Sequence, residues 1–134
     1  MLNARGVDYL LVGAHSLAFH SRPRYTGDLD VLVRPAESNA AALVALLEDF
    51  GFRESKFSRS DFLEADRVVQ LGRAPNRIDV LTSLTGVSTD EAFADKVAAE
   101  IDGIQTFVLS KPHLIQNKRA VGRPQDLADL AELE

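Results

Sequence analysis

The sequence predicts an α+β fold built as one domain. Short apolar stretches of strand length alternate with longer segments of helical periodicity, and turn-type residues join several strands as antiparallel hairpins. This order favours an α+β fold over a doubly wound parallel sheet. The 134 residues contain no repeat or linker and are enough for one domain with its own core. We therefore expect a single domain over residues 1–134.

Five apolar stretches are typical of strands. They are residues 9–12, 28–33, 67–71, 77–81 and 104–109. The first ends at Gly13, which suits a sharp turn into a helix. Gly, Arg, Ala, Pro and Asn at residues 72–76 are turn chemistry and predict a hairpin between the third and fourth strands. Asp102-Gly103 is a hairpin signal directly before the last strand.

The helices are predicted from capping residues and apolar spacing. They cover residues 14–20, 38–49, 88 to about 99, 110 to about 119, and 124–133, and the chain is expected to begin within a further helix closed by Gly6. Ser38 and Ser110 are candidate N-caps, and Ser88 begins a capping box. Pro124 opens the last helix, whose predicted core stripe consists of Leu127, Leu130 and Leu133.

Composition limits the classes of function. The chain has no cysteine, which excludes disulfides and thiolate metal sites. No apolar run is long enough to span a bilayer and the first residues lack a signal pattern, so we expect a cytoplasmic protein without membrane contact. The net charge of −5 argues against a uniformly basic surface. However, residues 103–125 hold four basic residues and no acid, which is compatible with a phosphate-bearing ligand.

Asp28 and Asp30 are the first candidate catalytic residues. Because side chains alternate along a strand, both carboxylates point the same way while Leu29 and Val31 point into the core. Two carboxylates this close repel each other unless a cation or a shared proton lies between them. Oxygen-only ligation suits Mg²⁺ or Mn²⁺. The alternatives are a turn acid beside a surface acid, and a glycosyltransferase-type metal pair.

Asp79 is a candidate third carboxylate. It lies between Ile78 and Val80, so its side chain faces away from theirs. If this strand lies beside the first two, three carboxylates can hold two divalent ions, which clamp the attacking and leaving oxygens of a displacement at phosphorus. The alternative is a hydrogen-bonded strand acid that faces solvent.

Two further groups are candidates for binding phosphate. The backbone N–H groups of the Gly13-Ala14 turn favour an anion, and His15 and Ser16 add side-chain donors. The alternative is a tight turn without a ligand.

The second group consists of Lys118, Arg123 and Asp126. Lysine binds a triphosphate as a point charge and arginine as a fork, and Asp126 can orient Arg123 through an ion pair three residues apart. The alternative is ordinary surface charge.

Taken in order, these segments resemble a known family. A strand ending in two small residues, an Asp-x-Asp pair and a later acid form the signature of the DNA polymerase beta-like nucleotidyltransferase superfamily. Three segments are similar, more narrowly, to small bacterial nucleotidyltransferases grouped with the AbiEii-type toxins of type IV toxin–antitoxin systems. They are residues 13–18, 24–30 and 117–130.

The resemblance implies a minimal nucleotidyltransferase fold, with a short mixed or antiparallel sheet and helices mainly on one face. It implies that Asp28, Asp30 and Asp79 bind Mg²⁺ or Mn²⁺, and that the last of them is a metal ligand or the base for the attacking hydroxyl. It implies that the Gly13-Ala14 turn holds the triphosphate, that Lys118 contacts the nucleotide and that Asp126 is the acid of the last motif. Together with the candidates His15, Ser16 and Arg123, these are the predicted nucleotide-binding residues.

Two functions follow as hypotheses. The first is an enzyme that moves NMP from a nucleoside triphosphate such as ATP to a hydroxyl on RNA, protein or a small molecule, with release of pyrophosphate. A toxin–antitoxin role, a homodimer or a cognate antitoxin fits this hypothesis. The second is a catalytically degenerate nucleotide-binding or protein-interaction module, because Ala14 stands where the family usually has glycine or serine.

Overall fold

The computed structural model describes residues 7–12, 20, 29–49, 59–64, 66–71, 77–101 and 103–133. Six strands and four α-helices lie in these ranges, which confirms the α+β class. Their order is β1 (Tyr9–Val12), β2 (Leu29–Val33), α1 (Glu37–Asp49), a 3₁₀ helix (Arg59–Phe62), β3 (Val68–Leu71), β4 (Ile78–Leu81), α2 (Thr89–Ala94), β5 (Val97–Ile101), β6 (Ile104–Val108), α3 (Lys111–Val121) and α4 (Pro124–Leu133).

The strands form one mixed sheet in the order β3-β4-β2-β1-β6-β5. Strand β1 is antiparallel to β2 and parallel to β6, and β2 is parallel to β4. The outer strands β3 and β5 pair antiparallel with β4 and β6, as hairpins do. Strands β4, β2 and β1 therefore lie side by side near the centre of the sheet.

Alternating side chains divide the core between the two faces of the sheet. On one face, Leu11, Val31 and Val33 pack with Leu43 and Leu47 of α1. On the other face, strand residues pack with side chains from the three remaining helices. That second cluster includes Leu10, Val12, Leu32, Phe93, Leu114 and Leu133. Three of the four described helices thus share a face, as predicted.

Local capping signals place most helix ends correctly. The Ser88 side chain accepts a hydrogen bond from the Glu91 N–H at the start of α2, and the Ser110 side chain accepts one from the His113 N–H at the start of α3. Helix α3 ends at Gly122, which has φ 69° and suits glycine. Ser38, by contrast, is not the N-cap of α1. The helix begins at Glu37, because the Ala40 N–H already donates to the Ala36 carbonyl at 2.8 Å.

Two predictions fail because of contacts with a neighbouring element. Helix α2 ends at Ala94 rather than near residue 99, since residues 97–101 pair with β6 as strand β5. The predicted core stripe of α4 is wrong at Leu127, which is 56% exposed. Its inward positions are taken by Asp126 and Asp129 together with Leu130 and Leu133.

Smaller differences concern element ends. Strands β3 and β4 each begin one residue later than predicted, β6 ends at Val108, and α3 runs on to Val121. The predicted opening helix, the helix over residues 14–20 apart from His20, and the turn over residues 72–76 lie outside the described residues. No helix in the described part of the chain is long and apolar enough to cross a membrane.

Gly86 holds the turn before α2 against helix α3. It has φ 79°, and a Cβ there would lie 2.4 Å from the Ala120 Cβ. Gly103 has a similar φ of 77° but open space around it. We therefore expect Gly103→Ala to cost about 1 kcal/mol of unfolding free energy for backbone strain alone. Gly86→Ala should cost about 1–3 kcal/mol more for overpacking. Urea denaturation of the two variants measures the difference, and equal losses would contradict it.

Candidate active site

Asp30 and Asp79 lie next to each other in the middle of the sheet. They are register partners on the parallel strands β2 and β4, and Asp30 is also opposite Val12 on β1. Neighbouring strands are about 4.8 Å apart, so the two side chains leave the sheet from adjacent points on one face. The strand of Asp79 thus lies beside the strand of Asp30, which is part of the condition under which Asp79 joins the carboxylate pair.

The two carboxylates share the face covered by α2, α3 and α4. Leu32 and Leu81, which follow them by two residues, pack in the cluster on that face. Val31 and Val80 pack on the opposite face. Asp79 is largely buried, with 13% of its side chain exposed. On this face of β2 and β4, the buried leucines Leu32 and Leu81 are therefore followed toward the start of each strand by the two acids, Asp30 and Asp79.

Arg77 directly precedes strand β4 and forms an ion pair with Asp79. Its Nε lies 3.2 Å from Asp79 Oδ1, and its Nη2 donates a hydrogen bond to Oδ2 at 3.3 Å. This arginine was not predicted as a site residue. The available signal was its position two residues before Asp79, which places both side chains on one face of an extended segment.

Lys118 of α3 is buried among the acids of α4. Only 7% of it is exposed, and its Nζ donates to Asp129 Oδ2 at 2.8 Å and lies 3.5 Å from Asp126 Oδ1. Asp126 and Asp129 are also buried, at 2% and 3% exposure. Burying charges is tolerated when they are paired, and this cluster joins the two helices electrostatically. Asp129 was not predicted, although its spacing of three residues from Asp126 was visible.

Asp126 holds Arg123 at the start of α4, as predicted. One carboxylate oxygen accepts from the Arg123 Nε at 2.7 Å and from its backbone N–H at 3.1 Å. The second oxygen accepts from Nη2 at 3.3 Å. The Arg123 side chain remains 71% exposed, so its guanidinium is held by Asp126 through Nε and Nη2 at the surface of the protein.

The pKa shifts connect this cluster to the paired strand acids. The hydrogen bond from the Arg123 side chain holds the pKa of Asp126 below its usual range, although burial opposes the shift. In return, the Asp126 carboxylate raises the pKa of Arg123, and Asp129 and Asp30 contribute in the same direction. The negative charge of Asp30 is thus one of those that favour the protonated form of Arg123.

The lowered pKa of Asp126 has a consequence for acid stability. Its ionised form is favoured in the folded state, so its contribution is present above the unfolded pKa of about 3.9 and is lost as pH falls through the lower folded value. We expect the unfolding free energy of the wild type to fall more steeply below pH 4 than that of Asp126→Asn. The exposed Glu100→Gln variant is the control and should follow the wild type. Parallel pH profiles for Asp126→Asn and wild type in urea denaturation would contradict this prediction.

The structure tests the predicted metal site only in part. Asp28 and the turn residues Gly13, Ala14, His15 and Ser16 lie outside the described residues. Within the described ranges no three potential ligand side chains form a metal site. The described pair nevertheless fits a divalent ion. Two register-paired carboxylates supply hard oxygen ligands, and the buried Asp79 Oδ1 accepts no hydrogen bond among described residues.

Comparison with known proteins by sequence finds no relative, since no protein-family model and no curated protein match the chain. Comparison by structure finds several similar proteins. A provisionally assigned nucleotidyltransferase from Thermotoga maritima superposes with a TM-score of 0.61 at 18% identity, over 93% of this chain and 80% of that chain. The lincosamide antibiotic adenylyltransferase LnuA with bound lincomycin gives a TM-score of 0.59 at 11% identity, over 98% and 89%. The chain has a nucleotidyltransferase fold.

A third neighbour agrees with this assignment of the nucleotidyltransferase fold. It is an antigenic nucleotidyltransferase-like protein from Paracoccidioides brasiliensis, with a TM-score of 0.53 at 13% identity over 98% of this chain and 68% of that chain. Identities this low establish the fold alone. The narrower resemblance to the AbiEii-type group therefore stays a prediction.

Proposed function

We propose that this protein is a metal-dependent nucleotidyltransferase that moves NMP from a nucleoside triphosphate to a hydroxyl acceptor. The observation that carries the proposal is the register pairing of Asp30 with Asp79 on neighbouring parallel strands. A nucleotidyltransferase fold would need this pairing to bring a carboxylate late in the sequence beside an early Asp-x-Asp pair. Asp30 and Asp79 are neighbours across the sheet although their strands are far apart in the sequence.

Asp28, Asp30 and Asp79 are the proposed ligands of Mg²⁺ or Mn²⁺. When bound, the ion would offset the charge of the triphosphate and stabilise charge that develops on the oxygens around the α-phosphorus. The chain's own residues supply the binding and orientation. The Gly13-Ala14 turn, with His15 and Ser16, is the proposed phosphate cradle after β1, whose last residue Val12 is the register partner of Asp30.

Arg123 is the proposed cation for the triphosphate. It is exposed, its guanidinium is oriented by Asp126, and the negative charge of Asp30 contributes to its raised pKa. A guanidinium has five N–H donors, so the donors that Asp126 does not engage can bind phosphate oxygens. Lys118 remains a predicted nucleotide ligand through the family resemblance. In this structure, however, its ammonium group already contacts two buried carboxylates.

The proposed reaction is one displacement at the α-phosphorus. A bond forms between the acceptor oxygen and the α-phosphorus, the bond from that phosphorus to the bridging oxygen breaks, and pyrophosphate leaves. The proton of the acceptor hydroxyl passes to a base, for which Asp79 is the candidate. LnuA is an adenylyltransferase of lincosamide antibiotics, and a small-molecule hydroxyl is therefore one candidate acceptor, beside RNA and protein. A toxin–antitoxin role is proposed only through the sequence resemblance.

The test is a transfer assay with an unbiased acceptor pool. The protein is incubated with each α-labelled nucleoside triphosphate, Mg²⁺ or Mn²⁺, and bacterial RNA, protein and small-molecule fractions offered separately. We expect label in one fraction, and no label with the double variant Asp30→Asn/Asp79→Asn. Absence of label in every fraction would contradict the proposed activity and favour the degenerate module. Label that persists in the double variant would contradict the assigned site.

A further inference from the structure

Arg77 contacts the carboxylate that the proposed function assigns to the metal. It directly precedes β4, and its guanidinium faces both oxygens of Asp79, with Nε 3.2 Å from Oδ1 and Nη2 3.3 Å from Oδ2. A divalent ion bound by Asp79 would need at least one of these oxygens. Because the guanidinium and the ion would lie against the same carboxylate, their positive charges would repel each other and weaken both contacts.

The contact has the features of an ion pair that can open. The Nη2–Oδ2 bond is at the long end of the hydrogen-bond range, and Oδ1 is buried without accepting a hydrogen bond among the described residues. Arg77 is 39% exposed along its side chain, whereas Asp79 is 13% exposed. Because Arg77 is the more exposed partner although its Nε is buried, it is the side chain that would turn away when the pair opens.

The charge balance explains why a cation belongs beside Asp79 even without metal. Asp30 is its register partner, so two carboxylates leave the sheet from adjacent points. In a partly buried place their repulsion is screened less than at the surface, and a nearby positive charge offsets it. Arg77 supplies one positive charge, and a divalent ion would supply two.

We propose that Arg77 is an exchangeable counter-ion of Asp79, which neutralises the carboxylate before the metal binds and yields it to the divalent ion. The inference rests on the proposed function, because it assumes that Asp79 is a metal ligand. Arg77 acts through Asp79 and is a positioning residue. Because Arg77 must give way before the ion binds, the affinity for the divalent ion is lower than it would be with the two carboxylates alone.

The test is the affinity for Mn²⁺, measured by electron paramagnetic resonance of the free ion. Arg77→Met removes the competing cation, and we expect it to bind Mn²⁺ about 3- to 10-fold more tightly than the wild type. Arg77→Lys keeps the charge and should lie between the two. Arg67→Met is the matched control, because Arg67 precedes the neighbouring strand β3 and is paired with Glu64 instead. This variant makes the same charge change and should bind Mn²⁺ as the wild type does.

The outcomes separate this inference from the proposed function. If Arg77 instead held Asp79 in its productive rotamer, Arg77→Met would bind Mn²⁺ more weakly. Unchanged or weaker affinity in Arg77→Met, with wild-type binding that still depends on Asp30 and Asp79, would overturn the exchange and leave the transferase proposal standing. If neither the wild type nor Arg77→Met binds Mn²⁺, the metal site fails and the inference fails with it.

Discussion

Replacing either Asp30 or Asp79 by asparagine is expected to lower the rate of nucleotide transfer by more than about 100-fold. Loss of a residue that only hydrogen-bonds a metal ligand typically costs about 10- to 100-fold, and loss of a ligand itself should cost more. Asparagine keeps the shape of the side chain but removes the negative charge and one strong oxygen ligand. The two residues are register partners, so each variant breaks the same carboxylate pair. Steady-state rates for Asp30→Asn and Asp79→Asn give the measurement.

Stability measurements separate a catalytic loss from a folding defect. Asp30→Asn removes the repulsion from Asp79 and also the attraction to the Arg123 guanidinium, so it should unfold at nearly the same urea concentration as the wild type. The control is Asp90→Asn on α2, where the side chain is 92% exposed and pairs with Arg34. It should keep full transfer activity. Wild-type rates in Asp30→Asn or Asp79→Asn would show that these carboxylates do not serve the reaction.

The second large effect is expected at Lys118. The Lys118→Met variant leaves Asp129 buried without its 2.8 Å partner and removes the second cation beside Asp126. Breaking a buried ion pair from one side typically costs about 3–5 kcal/mol of unfolding free energy. This is a large share of the about 5–15 kcal/mol that stabilises a typical domain. Urea denaturation followed by circular dichroism measures the loss.

A second substitution, at Asp129, tests whether the loss of stability in Lys118→Met comes from the broken ion pair. Because a buried ion pair can be replaced by apolar groups of similar volume at little cost, Lys118→Met/Asp129→Leu should recover most of the lost stability. Lys111→Met, at the exposed start of the same helix, should change the unfolding free energy by less than about 0.5 kcal/mol. If the double variant does not recover unfolding free energy, the loss in Lys118→Met does not come from the broken Lys118–Asp129 pair. A stable double variant that no longer binds nucleotide would instead support the predicted direct contact of Lys118.

Local signals in the sequence were sufficient for most of the fold. The Ser88 and Ser110 caps, the Gly122 stop and the Pro124 start each act within one helical turn, so they can be identified without knowing the tertiary structure. The segment over residues 97–101 was different. Its small and apolar residues suit a continued helix, and it becomes a strand only because it pairs with β6.

The site was predictable at its carboxylates and less so around them. Side-chain alternation placed Asp30 and Asp79 on one face of their strands. Their register could not be derived, because it depends on parallel pairing across more than forty residues of chain. Lys118 was expected among the ordinary surface charges or as a nucleotide ligand, since burial of a lysine depends on acids that approach from another helix. Arg77 likewise could be recognised as a site residue only from its contact with Asp79 in the structure.

We propose that Asp30 and Asp79 together hold a divalent ion for a bound nucleotide. The most direct test of this claim is Mn²⁺ binding with a triphosphate analogue that cannot be cleaved between the α- and β-phosphorus, compared between the wild type and Asp30→Asn/Asp79→Asn. We expect saturable Mn²⁺ binding to the wild type that the analogue strengthens, and loss of that binding in the double variant. Equal Mn²⁺ binding by both proteins, or none by either, would contradict the claim.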